Sequence, residues 1–374
     1  MNKVLHIITG LGAGGAQSCL LSIIKNQDNN IKHYVISLGR GSIYEKRIRT
    51  YADSYYKCPI EINLKLFFQI IKLYKIIKNL SPDIIQTWLY HSDLIVTLIY
   101  IFLRNKPKLL WNIRCSDMAG RYDRGKNFIL LRLLSLLSFV PNKIIYNSKA
   151  GILSHEIRGY KKDKSILIYN GINTRTFKKM DKIKYKNSLG INNNTTLFGL
   201  IARDDPIKGH LDFLEAISMV TDCHGIIVGS GVTKSKKILN KIKNLNLKDK
   251  ISLFEQMENI EIIISSLDTL VSTSYSEGFP TVIAEAMSCE VPVIATNVGD
   301  TKILLDDSDL ITIPGDSLEI SKKMKMIQEM SQIRIEEKGE NLRKKIINNF
   351  SSEVMTKKYH NLYISLCSDK SNQI

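Results

Sequence analysis

The stretch from Thr273 to Gly299 reads TSYSEGFPTVIAEAMSCEVPVIATNVG and predicts a strand, a turn, a helix and a second strand. The residues before Glu277 are apolar and β-branched, which favours a buried strand. Gly278 to Pro280 breaks that strand, and proline suits the first turn of a helix because its missing N–H costs no hydrogen bond there. Thr281 to Ser288 has a helical composition, and Glu290 to Ala295 predicts the next strand.

Two glutamates in this stretch, Glu277 and Glu285, stand eight positions apart. The first would lie on the strand-to-helix turn and the second one or two turns into the helix. Backbone N–H groups at a helix N-terminus favour an anion. A carboxylate beside such a site suits a neutral polyol attached to a phosphate. The alternative is a buried strand followed by a surface helix that carries two solvated acids.

This spacing, set in SEGFPTVIAEAM, resembles the signature of retaining glycosyltransferases of family 4. The resemblance implies an α/β protein of the GT-B fold, with two Rossmann-like domains facing a central cleft and a C-terminal helix that returns to the first domain. It implies that Glu285 holds the ribose hydroxyls of a nucleotide-sugar. Glu277, with the backbone of Gly278 and Phe279, would hold the donor sugar, and the helix N-terminus at Pro280 and Thr281 would face its phosphates.

A second candidate motif follows the strand predicted for Thr196 to Ala202. Arg203 and Lys208 lie on one loop between a strand and a helix, so they form a candidate pyrophosphate clamp. In the family the corresponding Arg and Lys bind the donor diphosphate. The resemblance adds Gly229, in a glycine turn, and Phe254, at the end of a strand whose backbone would hold the nucleotide base.

A glycine-rich loop near the N-terminus reads GLGAGGAQ and has two interpretations. Gly10, Gly12 and Gly15 fit the dinucleotide fingerprint, which needs an acid after the second strand. The sequence has no acid there, although Arg40 suits a 2′-phosphate, so an NADP-dependent oxidoreductase is an alternative. The resemblance instead implies a loop in which Gly14 and Gly15 face the donor phosphate and the acceptor.

The strand predicted for Ile84 to Trp88 leads into a candidate histidine at its carboxyl end, where ligands gather in open α/β sheets. The segment QTWLYHSDL resembles the family stretch whose histidine faces the donor sugar, which implies His91. The alternative is a packed or helix-capping histidine. The resemblance also brings Arg114 and Arg121 to an acceptor phosphate, with surface salt bridges as the alternative.

The charge of the chain is strongly asymmetric. The formal net charge is +17 over 374 residues. Residues 1–175 hold 27 Lys and Arg against 10 Asp and Glu, and the rest of the chain holds 26 of each kind. This excess indicates an anionic partner for the first half, such as a lipid surface, a nucleic acid or a phosphorylated acceptor. No nucleic-acid motif is visible, so we expect no nucleic-acid partner. Compositional drift toward lysine is the alternative.

One segment of that half, Arg121 to Phe139, predicts a basic helix with a long apolar face. Such a helix favours interfacial binding to anionic lipid, although an ordinary core helix explains its leucines equally well. The presence of Arg132 and the segment's length exclude a membrane span, and the apolar run Leu94 to Leu103 is too short for one.

The N-terminus lacks a secretory signal, and the six cysteines are scattered. We therefore expect a cytoplasmic protein, peripheral on the inner face of the plasma membrane.

These predictions combine into one domain scheme and one function. Residues 1–175 would bind the acceptor, residues 190–350 the nucleotide-sugar, and residues 351–374 would form the returning helix. The expected activity is retaining transfer from an NDP-sugar, taken as a UDP-sugar, to a lipid-linked or saccharide acceptor in surface polysaccharide synthesis. The expected catalytic set is His91, Arg203, Lys208 and Glu277, with no metal and no further cofactor. The alternatives are a soluble synthase acting on a small sugar or sugar phosphate, and a non-catalytic nucleotide-sugar-binding protein.

Overall fold

The alternation of apolar strands and amphipathic helices folds into two separate parallel sheets, each covered by helices. The computed structural model describes residues 1–12, 14–26, 30–40, 43–61, 63–114, 128–306 and 309–368. The chain divides into two units. Unit 1 contains Met1–Gly171 and the C-terminal segment that starts at Ser352, and unit 2 contains Ile172–Ser351.

The sheet of unit 1 has seven strands in the order β3-β2-β1-β4-β5-β6-β7, and every recorded pairing is parallel. The strands are β1 Asn2–Ile8, β2 Ile31–Ser37, β3 Ser54–Lys57, β4 Ile84–Trp88, β5 Lys108–Ile113, β6 Lys143–Tyr146 and β7 Ser165–Leu167. The strand order reverses direction at β1, which pairs with β2 on one side and β4 on the other. Open parallel sheets bind ligands outside the carboxyl ends of the strands at such a point.

Helices cover both faces of this sheet. They are α1 Gly15–Lys25, α2 Glu45–Tyr51, α3 Leu66–Leu80, α4 Tyr90–Ile101, α5 Phe128–Leu137, α6 Lys149–Ile157 and, at the far end of the chain, α15 Ser352–Ser368. One core cluster contains buried residues of α3, α4 and α5, and Ile152 of α6 packs against it. A second cluster contains those of α1, α2 and α15. From β1 the strands β2 and β3 follow on one side and the strands β4 to β7 on the other. Because the crossovers are right-handed, the helices that connect these two groups lie on opposite faces of the sheet.

The C-terminal helix α15 is part of unit 1 through aromatic residues on one side. Tyr359 and Tyr363 are completely buried in the second cluster. The Asn112 side chain donates a hydrogen bond to the Tyr359 hydroxyl at 2.8 Å, and the Tyr363 hydroxyl donates to Gln86 at 2.5 Å. Both partners lie on central strands, so the helix is fixed to the middle of the sheet.

The sheet of unit 2 has six parallel strands in the order β10-β9-β8-β11-β12-β13. The strands are β8 Thr196–Ile201, β9 Cys223–Val228, β10 Ile251–Phe254, β11 Thr269–Ser272, β12 Val293–Thr296 and β13 Ile311–Thr312. Its order reverses at β8, which pairs with β9 and β11. The second candidate ligand position of the chain therefore lies between the loops that follow β8 and β11.

The helices of unit 2 are α7 Lys182–Ser188, α8 His210–Ser218, α9 Lys236–Asn244, α10 Ile260–Ser266, α11 Thr281–Ser288, α12 Thr301–Leu305, α13 Ser317–Glu329 and α14 Gln332–Phe350. The sequence suggests one helical segment from Ser317 to Asn349, but the structure has two helices. The break falls at Met330 and Ser331, and the Ser331 hydroxyl accepts a hydrogen bond from the backbone of Arg334 at 3.5 Å. Serine is common at helix N-caps because its hydroxyl can accept such a hydrogen bond.

The structure describes only part of the predicted basic helix. Within the described residues helix α5 spans Phe128–Leu137 and contains Arg132. Arg121, Arg124 and Lys126 lie outside the described residues. Among the helices that the structure describes, none is long and apolar enough to cross a membrane.

Candidate active site

The candidate site of unit 2 is built by two loops that leave neighbouring strands at the reversal of the strand order. The loop after β8 carries Arg203 and Lys208, and the loop after β11 carries Glu277. Because β8 and β11 are parallel neighbours, both loops leave the same edge of the sheet. The structure thus brings together three of the residues that the sequence predicted.

The loop after β8 is rigidly docked on the loop after β11. The Thr273 hydroxyl contacts the carbonyl oxygens of Lys208 and Gly209 at 2.9 and 2.8 Å. Gly209 has φ 65°, and a Cβ atom there would lie 2.1 Å from the Thr273 carbonyl oxygen. Only glycine fits this position, because the backbone is left-handed and the neighbouring chain is too close. Lys208 is therefore held at a fixed place relative to the second loop.

Lys208 and Glu277 form the central contact of the site. The Lys208 ammonium lies 2.7 Å from Glu277 Oε1, and the Ser274 hydroxyl donates to the same oxygen at 2.7 Å. The two side chains are only 18% and 16% exposed, so water screens the pair weakly. The resemblance implied separate roles for Lys208 and Glu277, on the diphosphate and on the sugar. The structure adds that one side chain orients the other.

Arg203 occupies the rim of the same site. Its guanidinium pairs with Asp205 at 2.7 Å and keeps 64% of its side chain exposed. The other oxygen of Asp205 accepts from the backbone of Ile207 at 3.1 Å, which caps the short 3₁₀ turn Pro206–Lys208. Asp205 thus connects the exposed arginine to the turn that presents Lys208.

Gly229 supports this loop from the next strand. A Cβ atom at Gly229 would lie 1.9 Å from the Ala202 carbonyl oxygen, so the two backbones cross at a distance that only glycine allows. The Gly229 amide donates to the Phe254 carbonyl oxygen at 3.0 Å. The carboxylate of Glu255, which the sequence did not mark, accepts from Gly231 and Thr233 in the same turn.

The N-terminus of α11 faces the same edge. Pro280 is the N-cap residue and Thr281 the first helical residue, as the sequence predicted. The Gly278 carbonyl oxygen accepts a hydrogen bond from the Asp300 backbone at 2.9 Å. The Phe279 side chain is 5% exposed and packs on Phe350, with ring centroids 5.6 Å apart. Phe279 can therefore meet a ligand only through its backbone.

Glu285 lies on α11, one turn beyond the helix start. Its side chain keeps some solvent exposure, yet the surrounding protein removes most of its water. This desolvation, and then the negative charge of Glu261, raises the pKa of the Glu285 carboxyl to about 8. Such a group accepts hydrogen bonds well, and ligand hydroxyls would compensate its desolvated charge. The sequence could not reveal Glu261 as a neighbour, because the two residues lie on different helices.

The reversal point of unit 1 carries the glycine loop. Gly14 is the N-cap residue of α1, and the Gln17 side chain donates to the Gly10 carbonyl oxygen at 2.8 Å. A Cβ atom at Gly10 or Gly12 would have no heavy atom within 4 Å. Packing within the protein therefore does not explain why these two positions of the fingerprint are glycine. At Gly15, a Cβ atom would meet only Asn170, at 3.8 Å.

The alternative interpretation of the glycine loop, an NADP-dependent oxidoreductase, also requires Arg40 to bind the 2′-phosphate. Its guanidinium is paired with Glu61 at 2.5 Å on the surface of unit 1. The structure thus gives the arginine a local partner, and a 2′-phosphate would have to replace it.

His91 lies in the first turn of α4, directly after β4, and its side chain is exposed. The turn before it is strained: Leu89 has φ 74° and ψ 152°, a region that residues other than glycine rarely adopt. The Leu89 amide donates to the Asn112 carbonyl oxygen at 3.2 Å. The histidine therefore stands on a sharply bent strand-to-helix turn at the carboxyl edge of unit 1.

Arg114 follows β5 at the same edge, with its guanidinium largely enclosed. It lies 3.5 Å from the Tyr359 hydroxyl and 5.6 Å from the Trp88 ring centre. Both contacts are inside unit 1, and the acceptor phosphate that the resemblance implies for this arginine stays a prediction. Arg121, its predicted companion, lies outside the described residues.

The sequence profile of the glycosyl transferases group 1 family matches residues 181–350, nearly all of unit 2. N-acetyl-alpha-D-glucosaminyl L-malate synthase from Bacillus anthracis is 26% identical over 231 residues, which cover 59% of this chain and 58% of that enzyme. The O-antigen biosynthesis glycosyltransferase WclY from Escherichia coli is 23% identical over 97% of this chain and 98% of its own length.

A third relative from Campylobacter jejuni is named N-acetylgalactosamine-N,N'-diacetylbacillosaminyl-diphospho-undecaprenol 4-alpha-N-acetylgalactosaminyltransferase. It is 26% identical over 79% of this chain and 81% of its own length. Among solved structures, Anabaena HepE in complex with UDP and glucose superposes with a TM-score of 0.85 at 19% identity, covering 98% of this chain and 100% of that one. The family match thus covers residues 181–350, and the protein is a glycosyltransferase with the GT-B fold.

Proposed function

We propose that this glycosyltransferase moves a sugar from a nucleotide-sugar to a hydroxyl of a lipid-linked glycan, with retention at the anomeric carbon, in surface polysaccharide synthesis. The observation that carries the donor part of the proposal is the Lys208–Glu277 pair at the reversal point of the unit 2 sheet. A cation for a diphosphate and a carboxylate for sugar hydroxyls stand within 2.7 Å of each other there.

The leaving diphosphate needs positive charge placed in advance. Lys208 supplies it from a rigid turn, and Arg203 supplies a second cation that can leave Asp205 when a phosphate arrives. The N-terminus of α11 adds the partial charge of its backbone N–H groups. Preorganised charges of this kind stabilise the transition state most strongly, because they need no rearrangement as the bond breaks.

The carboxylates orient the rest of the donor. Glu277, held by Lys208 and Ser274, accepts hydrogen bonds from hydroxyls of the donor sugar. Glu285 accepts from the ribose hydroxyls, and the backbone around Phe254 lies beside the base. His91, Gly14 and Gly15 of unit 1 stay candidate residues of the proposal.

For the transfer step we propose the front-face route that the resemblance to family 4 implies. The acceptor oxygen forms a bond to the anomeric carbon on the face from which the diphosphate leaves, and the anomeric carbon–oxygen bond to phosphate breaks. The acceptor hydroxyl proton passes to the leaving phosphate oxygen, so the products are the glycoside and the nucleoside diphosphate. No protein carboxylate has to form a covalent bond in this scheme.

The acceptor is proposed from the relatives and from charge. The Campylobacter enzyme's name specifies a diphospho-undecaprenol acceptor, and WclY is named for O-antigen biosynthesis. The excess of 17 positive charges in residues 1–175 suits an anionic, membrane-bound acceptor. The protein would then act as a peripheral enzyme at the cytoplasmic face of the membrane. HepE was solved with UDP and glucose, which supports a UDP-sugar as the donor.

A small soluble acceptor is the second candidate. The Bacillus anthracis relative is named for malate, a small dicarboxylate, and it aligns over 231 residues. A basic first half would also suit such an anion.

The test supplies radiolabelled UDP-, GDP- and ADP-sugars to the full chain with a lipid extract of the source cells, without added metal. We expect label to enter the organic phase with one donor, and Glu285→Ala to abolish this transfer. NMR of the product should show the anomeric configuration of the donor. Label on water-soluble acceptors alone would contradict the lipid acceptor, and binding of a donor without any turnover would contradict the enzyme.

A further inference from the structure

One surface of unit 1 is unusually apolar. We call it the outer flank: the solvent-facing side of α3, α4, α5 and α6, on the opposite face of the sheet from α1, α2 and α15. The chain has eleven phenylalanines, and those with exposed side chains all lie here: Phe67, Phe68, Phe102, Phe128 and Phe139. Isolated exposed apolar residues are ordinary, but their concentration on one surface indicates a binding face.

The apolar residues follow helical spacing on neighbouring helices. On α4 and its C-cap, Leu98, Ile101 and Phe102 are 48%, 50% and 75% exposed, and their i, i+3, i+4 spacing places them on one side. On α5, Ile129, Leu133 and Leu136 repeat the pattern. Helices α4 and α5 pack against each other, so the two apolar stripes are neighbours. Leu153 and Ile157 of α6 extend the surface by a third stripe.

Acidic residues are scarce on the same surface, where Glu156 of α6 is half-buried. Residues 64–80, 94–114 and 128–142 contain no Asp or Glu. Asp93, the acid of α4, is completely buried and its pKa is raised by that burial. Lys65, Lys72, Lys75 and Lys78 belong to α3 or precede it, Arg104 and Lys106 follow α4, and Arg132 lies on α5. A surface that combines apolar stripes with an excess of positive charge suits an anionic lipid layer.

A basic hollow adjoins the apolar end of α4. Lys78, Arg104 and Lys106 line it between the C-terminal ends of α3 and α4, and Asp83 is the one acid in its lining. The Lys106 ammonium lies 5.6 Å from the centre of the Tyr100 ring, which is a cation–π contact. A phospholipid phosphate fits this arrangement, with the acyl region beside Ile101 and Phe102.

We propose that the outer flank lies on an anionic phospholipid bilayer, with its phenylalanine and leucine side chains at the boundary of headgroups and acyl chains. The surface is wider than the segment Arg121 to Phe139 that the sequence suggested, because it includes the end of α4 and the start of α3. A second copy of the chain is a poorer occupant, since a symmetric pair would place basic residues against basic residues.

The role of this membrane contact in catalysis rests on the proposed function. Helices of a parallel α/β sheet run antiparallel to its strands, so Phe67 and Phe128 lie near the edge that carries the glycine loop and His91. Phe102 and Leu136 lie near the opposite edge. A lipid-linked acceptor could therefore keep its lipid in the bilayer under the flank while its glycan extends to the carboxyl edge of the sheet.

The test is sedimentation of the full chain with vesicles of phosphatidylglycerol and phosphatidylcholine, compared with phosphatidylcholine alone. Two double variants change the flank: Ile101→Ser with Phe102→Ser, and Arg104→Glu with Lys106→Glu. Matched controls on unit 2 are Ile333→Ser, at a residue 71% exposed, and Lys236→Glu with Lys237→Glu on α9. Tryptophan fluorescence on heating checks folding, because Trp88 and Trp111 both lie in unit 1.

We expect binding only to the anionic vesicles, a loss of about tenfold or more in each flank variant, and wild-type binding in both controls. Transfer to a water-soluble acceptor analogue should remain near wild type in the flank variants, which separates this surface from the donor site. Wild-type chain that stays in solution, or flank variants that bind as well as the controls, would overturn the proposal. So would light scattering that shows a dimer lost in the Ile101→Ser, Phe102→Ser variant.

Discussion

The side chains of the proposed donor site constrain one another before any ligand arrives. Glu277 Oε1 receives both the Lys208 ammonium and the Ser274 hydroxyl, each at 2.7 Å. Removing one partner of a weakly exposed ion pair leaves the other desolvated, which costs more than the pair itself contributes. Lys208 and Glu277 therefore act as a unit, and their single substitutions should not have additive effects.

Glu285 gives the first prediction. Its pKa of about 8 leaves it mostly protonated at pH 6, whereas ribose hydroxyls bind best to the carboxylate. Donor binding must then release a proton. We expect the affinity for a UDP-sugar to rise up to about fiftyfold from pH 6 to pH 8, measured by isothermal titration calorimetry.

In Glu285→Gln this pH dependence should disappear, because the amide does not titrate. Affinity that is equally pH-dependent in both proteins would show that another group is responsible. The same raised pKa also affects folding: its stabilising contribution is complete below the ordinary value of 4.5 and is lost as the pH rises through about 8.

At the scale of loops and strands, close backbone contacts hold the cationic loop in place. Gly229 gives the second prediction, since its Cβ would lie 1.9 Å from the Ala202 carbonyl oxygen. Gly229→Ala should lower the free energy of unfolding of unit 2 by roughly 3 kcal/mol or more and weaken donor binding. Gly12→Ala is the control, with no heavy atom within 4 Å, and should stay within about 1 kcal/mol of wild type. Urea unfolding followed by circular dichroism measures both, and equal stabilities would contradict the close contact.

Helix α15 gives the third prediction, through the buried histidines beside it. His6 lies 3.0 Å from His33, and His33 stacks on His360 of α15 at 5.9 Å. Burial, then the charges of His33 and His360, lowers the pKa of His6 well below 6.5. Its contribution to stability is therefore present above pH 6.5 and is lost as the pH falls below that value, since the unfolded chain then binds the proton.

Unit 1 should lose up to about 2 kcal/mol of unfolding free energy between pH 7 and pH 5 from this group. Tryptophan fluorescence in urea reports it, because Trp88 donates to His6 at 3.3 Å and both tryptophans belong to unit 1. His6→Gln should flatten the dependence. If the unfolding free energy of His6→Gln depends on pH as in the wild type, another group is responsible for the acid sensitivity.

The sequence predicted the elements of the central stretch closely, because apolar runs, Pro280 and the helical composition of the following residues are local signals. Helix α11 spans Thr281–Ser288, the range expected. It could not predict the Lys208–Glu277 pair or the influence of Glu261 on Glu285, since both depend on which strands and helices become neighbours. It named Phe279 for its backbone, and it could not predict that the side chain packs against Phe350, seventy-one positions later.

At the scale of the whole molecule, both units share one topological feature. Each unit has a parallel sheet whose order reverses at its first strand, and the predicted residues follow the strands at that reversal. In unit 1 these are the glycine loop and His91, and in unit 2 they are Lys208 and Glu277. The sheet topology thus explains why motifs scattered along the sequence come together at two places, one reversal point in each unit. The net positive charge is confined to residues 1–175, which carry the outer flank.

The most direct test of the donor site is the rate of sugar transfer by Lys208→Ala, compared with wild type and with Lys236→Ala. Lys236 is an exposed lysine on α9 of the same unit. Removal of one preorganised charge at a developing anion costs about 100- to 1,000-fold in kcat. We predict a loss of that size for Lys208→Ala, partial recovery in Lys208→Arg, and an unchanged rate for Lys236→Ala. A folded Lys208→Ala protein that transfers sugar at the wild-type rate would contradict the placement of the donor diphosphate at this site.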